Sequence, residues 1–129
     1  MIKDIIIFTI LLVIVDAAYL KTITPEYSKM MIKIQGSDIK MKLEAAIVVY
    51  IAIIAVWYFF IYREMDKNSV RDNVIRAAVL GSCTYAIFDF TNLAIFDNYR
   101  LDLAVMDSIW GGILFGLSTF LLHLVKQHF

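Results

Sequence analysis

Four long apolar segments dominate the pattern of hydrophobic and polar positions along the chain. A transmembrane helix needs about 20 mostly apolar residues, and each segment approaches that length. None of them alternates apolar and polar residues with a period of two, so the pattern indicates helices rather than a β-barrel. We predict an all-α, polytopic membrane protein, a single domain over residues 1–129, with four transmembrane helices at 5–20, 43–62, 74–96 and 103–125.

The first segment admits a second interpretation. Lys3, the apolar run and the small residues Ala17 and Ala18 also match a cleaved signal peptide. The apolar run continues through Leu20, and three further spans follow it. These features favour a retained first helix.

The connection between the first two spans, residues 21–42, has a helical pattern of its own. Thr24 and Pro25 suit the N-cap and first position of a helix, and Gly36 suits its end. Four apolar side chains recur between them at helical spacing: Tyr27, Met30, Met31 and Ile34. We predict a short amphipathic helix in this loop, lying on the membrane surface. The alternative is an irregular loop whose apolar residues pack on the bundle.

Composition agrees with a membrane location and excludes several classes of protein. Hydrophobic residues make up 61% of the chain and charged residues 19%, whereas soluble domains average about 45–50% and about 25%. Such a chain is not intrinsically disordered, and its single cysteine excludes an internal disulfide framework. Lys plus Arg and Asp plus Glu are equal at 12 each, so nucleic acid is not an expected partner. The expected partners are the lipid bilayer and further copies of the chain in a homo-oligomer.

Charge leaves the orientation in the membrane open. Four spans place both termini on one side, here called side A, and the loops 21–42 and 97–102 on the opposite side B. Lys and Arg residues divide equally between the two sides, so the positive-inside rule gives no answer. A basic surface helix in the first loop prefers the anionic cytoplasmic leaflet, which favours termini outside.

Three aspartates interrupt the apolar spans: Asp16, Asp89 and Asp107. A charge at the middle of a transmembrane helix costs roughly 2.5–3.5 kcal/mol, so such residues are candidates for function. Helix direction and a rise of about 1.5 Å per residue place all three carboxylates roughly 6–10 Å below side B. We therefore expect one polar cluster within one leaflet.

Each aspartate shares a helix face with other polar or aromatic side chains. Residues three or four apart lie on one face of a helix, which groups Asp16 with Tyr19 and Asp107 with Trp110. The same spacing joins Asp89 to Tyr85 and Asn92 on the third helix. Candidate positive partners on side B are Lys21, Lys40, Lys42 and Arg100.

Three functions fit such a cluster. Carboxylates with an amide oxygen suit a hard cation or a proton, so we predict a small-cation or proton binding or translocation site, with Asp16, Asp89 and Asp107 as the ligands of any metal. A structural or assembly protein with a buried polar network is the first alternative. A membrane enzyme acting on a lipid or isoprenoid, with a carboxylate as general acid or base, is the second. A bound cation is the only cofactor that the residues indicate, since motifs for haem, retinal or nucleotide are missing from the sequence.

Small residues recur at four-residue spacing in the last two spans. Ala77 and Gly81 lie on the third helix, while Gly112 and Gly116, with Gly111 beside them, lie on the fourth. Small residues allow close approach of helices in a membrane. The pattern predicts internal helix packing, in preference to a dimer interface.

Two sequence blocks resemble a known family. Residues 85–94 read Tyr-x-x-x-Asp-x-Thr-Asn-x-Ala, and residues 107–111 read Asp-x-x-Trp-Gly. This pair resembles the pattern of a family of small predicted membrane proteins catalogued as a domain of unknown function. Asp16 near the end of the first span, followed by Tyr27, also matches the layout of that family, whereas the Lys-rich first loop departs from it.

The resemblance implies four helices and a set of site residues, and it implies no activity. The candidate site residues are Asp16, Tyr19, Tyr85, Asp89, Thr91, Asn92, Asp107 and Trp110.

Overall fold

Four long helices form the protein, with no strand between them. The computed structural model describes all 129 residues. All four helices are long and apolar enough to cross a membrane, which confirms the predicted all-helical class. The helices are α1 (Ile2–Gln35), α2 (Leu43–Phe60), α3 (Val70–Ile95) and α4 (Leu101–His128), and a short 3₁₀-helix (Tyr62–Lys67) follows α2.

The first helix corrects one prediction. Residues 24–35 are helical, but they continue α1 without a break instead of forming a separate surface helix. At 34 residues α1 is about 51 Å long, well beyond the roughly 30 Å of a hydrocarbon core. Gly36 ends the helix in the left-handed conformation, at φ 76°, as its sequence position predicts.

The signals taken for a helix start act differently in the structure. The Thr24 hydroxyl donates to the Leu20 carbonyl inside the helix, so it caps nothing. Pro25 lies within the helix, where it removes one backbone donor. The extension is stabilised by packing, because the buried Met30 clusters with Tyr99, just before α4, and with Leu103 of α4. The preference for termini outside relied on a separate surface helix and loses that support.

Helices α3 and α4 pack most closely, through their small residues. The backbones approach at Gly81 and Gly111, where a β-carbon on either residue would overlap the partner helix. Gly112 lies against Ser82 and Ala78, and Ala77 is fully buried. These small residues thus lie where α3 meets α4.

An apolar core occupies the side-A half of the bundle. Trp57 of α2 stacks on Phe8 of α1 with ring centroids 3.6 Å apart, and its indole N–H donates to Thr119 of α4 at 3.1 Å. Asp4 and Lys126, near the two termini, form an ion pair of 3.4 Å, so both termini lie at the same end. In this half the ring stack joins α2 to α1, and the indole hydrogen bond joins α2 to α4.

The side-B half of α2 is held much more loosely. Its buried residues, Ile53 and Trp57, both lie in its second half, and α2 has few direct contacts with α3. Leu43, Ile47 and Val48 point outward, where apolar side chains in a membrane protein meet lipid tails. A gap therefore remains between α2 and α3 near side B.

Candidate functional site

The loosely packed half of the bundle encloses a cavity of about 400 Å³. Its walls come from all four helices and are mostly apolar. Asp16, Asp89 and Asp107 all lie in its lining, together with four tyrosines and two threonines, and no lysine or arginine does. The polar part of the cavity is therefore acidic.

Each oxygen of Asp16 accepts a hydrogen bond from another helix. The Tyr50 hydroxyl of α2 donates to Oδ2, and the Trp110 indole N–H of α4 donates to Oδ1 at 3.1 Å. Trp110 itself stacks on Tyr19, with ring centroids 4.4 Å apart. Because Asp16 is only 5% exposed, these bonds fix α1 against α2 and α4 near side B.

Asp89 and Asp107 form a pair of facing carboxyl groups. Tyr99 donates to Asp89 Oδ1 at 2.8 Å, and Tyr19 donates to Asp107 Oδ1 at 2.9 Å. Asp89 is 1% exposed, and its Oδ2 atom has no hydrogen-bond donor. The Asp107 carboxyl lies close to that of Asp89, and both line the same cavity. Two acceptors that face each other in this way need a proton or a cation between them.

Tyr99, which lies between α3 and α4, stays protonated. Burial raises the pKa of its hydroxyl above the usual value, and the hydrogen bond to Asp89 raises it further. The hydroxyl therefore serves as a permanent donor to Asp89.

The predicted cationic partners do not reach the aspartates. Arg100 instead pairs at the surface with Glu26 at 2.9 Å and with Asp102 at 2.6 Å. The remaining ion pairs join Lys29 to Glu26, Lys67 to Glu64 and Lys126 to Asp4. The expectation that Lys21, Lys40, Lys42 or Arg100 neutralises an intramembrane carboxylate is wrong, because these side chains lie at the exposed membrane surface.

The expected metal ligand set is also wrong. No three Asp, Glu, His or Cys side chains are grouped so that they could hold a metal ion. Asp16 turns toward Tyr50 and Trp110, which leaves Asp89 and Asp107 as an isolated pair. Two carboxyl groups alone provide too few oxygen ligands for Mg²⁺ or Ca²⁺.

The other candidate residues divide between the cavity and its surroundings. Tyr85 lines the cavity and packs edge-on against Phe115, with ring centroids 6.4 Å apart. Asn92 is partly buried and lies on the same face of α3 as Asp89. Thr91 is exposed and lies outside the cavity lining, because it is two residues from Asp89 and so points away from it on the helix.

Tyr50 and Tyr99 are site residues that the sequence pattern did not single out. Tyr50 is seven residues into α2, about 10 Å below side B, which is the depth predicted for the aspartates. Depth along the helix was thus the signal that could have identified it. Tyr99 lies in a connection without periodicity, so no comparable signal marks it.

Four helices that are long and apolar enough to cross a membrane define a multi-pass integral membrane protein. Its acidic cavity lies between those helices. The family model described as "Predicted membrane protein (DUF2177)" matches residues 1–124 of the chain. The chain belongs to this family, which agrees with the resemblance of its two sequence blocks. Neither the curated proteins nor the solved structures include a match.

Proposed function

We propose that this membrane protein binds a proton, shared between Asp89 and Asp107, within the leaflet that faces side B. The observation that carries the proposal is the Asp89 Oδ2 atom, which is buried and lacks a donor, in a carboxyl group that lies close to that of Asp107. A proton on either carboxyl group supplies the missing donor and turns the contact into a hydrogen bond.

Electrostatics favours the shared proton. Two carboxylates at close range in an apolar surrounding repel each other, and one proton removes most of that repulsion. No cationic side chain forms an ion pair with either residue. A small monovalent cation is the alternative occupant, because it would balance the same charge.

The proposal concerns binding with exchange toward side B, not passage through one chain. The cavity lies in the side-B half of the bundle, while Trp57, Phe8, Leu12 and Phe115 pack into an apolar core in the other half. A proton crossing that core would have to pass largely apolar side chains.

Dicyclohexylcarbodiimide tests the proposal, because this apolar reagent modifies protonated carboxyl groups. We expect the protein in lipid nanodiscs at neutral pH to be modified on Asp89 or Asp107, as mapped by mass spectrometry of peptides. Asp89→Asn and Asp107→Asn should each abolish the modification, since the amide of the new asparagine donates to the remaining carboxylate. Asp4→Asn is the matched control, because Asp4 already has Tyr62 at 2.6 Å and Lys126 as partners.

The effect of sodium on the rate of carbodiimide modification distinguishes a bound proton from a bound metal cation. Replacing choline chloride with sodium chloride at constant ionic strength should leave the rate of modification unchanged. Protection by sodium would assign the site to a sodium ion, and the absence of modification on both residues in the wild type would overturn the proposal.

A structural role is supported for Asp16 specifically. Both of its oxygens accept hydrogen bonds from other helices, so neither oxygen lacks a donor. The cluster therefore contains one structural carboxylate and one pair available to a proton.

A further inference from the structure

We infer that the cavity beside the Asp89–Asp107 pair binds a single-chain amphipathic molecule with a primary ammonium headgroup, which enters from the membrane between α2 and α3. This inference rests on the proposed function, because it assigns the ligand class of the same acidic pair. Shape, access and charge support it independently.

The size and lining of the cavity suit an apolar chain. Its volume of about 400 Å³ falls in the range of roughly 300–1,000 Å³ that is usual for small-molecule sites. Ala46, Val49 and Ile53 of α2 face Leu20 and Ile23 of α1 across it. A hydrocarbon chain could lie along these walls without leaving a polar group unpaired.

The entrance lies at the level of lipid tails. Val49 and Phe88 line the cavity on α2 and α3, and they are 56% and 52% exposed. Direct contacts between these two helices are few. At six residues into α2, Val49 is about 9 Å below side B, so a molecule in that leaflet reaches the entrance sideways with its headgroup toward the surface.

The polar end of the cavity selects the headgroup. The only charged groups in its lining are Asp16, Asp89 and Asp107, and Asp16 already has two donors. The Asp89 carboxyl, whose buried Oδ2 is satisfied by the shared proton, and the half-buried Asp107 carboxyl remain. When they share one proton, the pair holds one negative charge, which a single ammonium group neutralises while donating hydrogen bonds.

An anionic or phosphate headgroup does not fit this end. It would add negative charge beside carboxylates, and no lysine or arginine lines the cavity to offset that charge. A neutral alcohol could donate one hydrogen bond, but it would leave the negative charge uncompensated.

Photolabelling with a dodecylamine that carries a diazirine tests the inference in phosphatidylcholine nanodiscs. The dodecanol and dodecanoate analogues serve as headgroup controls. We measure label on cavity peptides relative to label on the lipid-facing residues Ile109 and Ile113 of α4, which corrects for partitioning into the bilayer. The amine should label the cavity about tenfold more than either analogue, the ratio expected from one additional charge-assisted hydrogen bond.

Two neighbouring substitutions on α2 provide a matched pair. Val49→Trp fills the entrance, whereas Val48→Trp adds the same side chain to a residue that is 63% exposed and lies outside the cavity. Both positions face lipid, so neither change disturbs the core. We expect Val49→Trp and Asp107→Asn to reduce cavity labelling by the amine about tenfold, and Val48→Trp to leave it unchanged.

Equal cavity labelling by the amine and its two analogues would overturn the inference, and so would equal labelling of the Val48→Trp and Val49→Trp variants. Preferential labelling by dodecanoate would also overturn it. These results are distinguishable from failure of the proposed proton site, because carbodiimide modification of Asp89 or Asp107 is measured without any amine present.

Discussion

Gly81→Ala is expected to lower the free energy of unfolding by about 1–3 kcal/mol, the usual cost of overpacking a tight core. A β-carbon at this position would overlap the backbone carbonyl oxygen of Gly111 and the ring of Phe115. A backbone group cannot rotate out of the way, so α3 and α4 would have to separate. Titration of the protein in mixed micelles with SDS, followed by the fluorescence of Trp57 and Trp110, measures the loss.

Gly116→Ala is the matched control on the same interface. A β-carbon at Gly116 would meet the Ala78 β-carbon at 3.4 Å and the Val74 carbonyl oxygen at 3.5 Å. These are close to ordinary contact distances, so the expected change is within about 0.5 kcal/mol. Equal destabilisation by the two substitutions would contradict the assigned helix contact.

Asp16→Leu is expected to destabilise the bundle by about 1–3 kcal/mol. It removes two hydrogen bonds between helices, each contributing about 0.6–1.7 kcal/mol in a membrane protein. The packing of α2 should be weakened most, because the Tyr50 hydroxyl makes the only hydrogen bond from α2 to another helix near side B. Mixed-micelle unfolding of the purified variant measures the effect.

A double-mutant cycle separates these bonds from general disturbance. Tyr50→Phe removes one donor to Asp16 and keeps the ring, so Asp16→Leu should cost less in the Tyr50→Phe background. We expect a coupling energy of about 0.5 kcal/mol or more between the two residues. Strict additivity would contradict the structural role of Asp16.

The sequence predicts most of the fold because the membrane imposes strong rules. Length and hydropathy locate all four spans, and small residues at Gly81 and Gly111 indicate where two helices touch. The first helix is the exception. Thr24 and Pro25 are start signals in isolation, but the packing of Met30 on Tyr99 and Leu103 overrides them, and no local pattern contains that tertiary contact.

The site is less predictable than the fold, for a physical reason. Depth along a helix places Asp16, Asp89 and Asp107 in one leaflet, yet their partners depend on helix rotation. That rotation directs Asp16 to Trp110 and Tyr50 and leaves Asp89 facing Asp107. The rotation of each helix about its axis is set by packing across the whole bundle. The sequence of a single helix does not determine that packing.

The central claim is that Asp89 and Asp107 share a proton. It is tested most directly by infrared spectroscopy at neutral pH, with the spectrum of each variant subtracted from that of the wild type. The wild type should show the carbonyl stretch of one protonated carboxylic acid, sensitive to exchange into heavy water. That band should vanish in Asp89→Asn and in Asp107→Asn, and it should persist in Asp4→Asn. A wild-type spectrum without the band, or a band that survives both substitutions in the pair, would contradict the account.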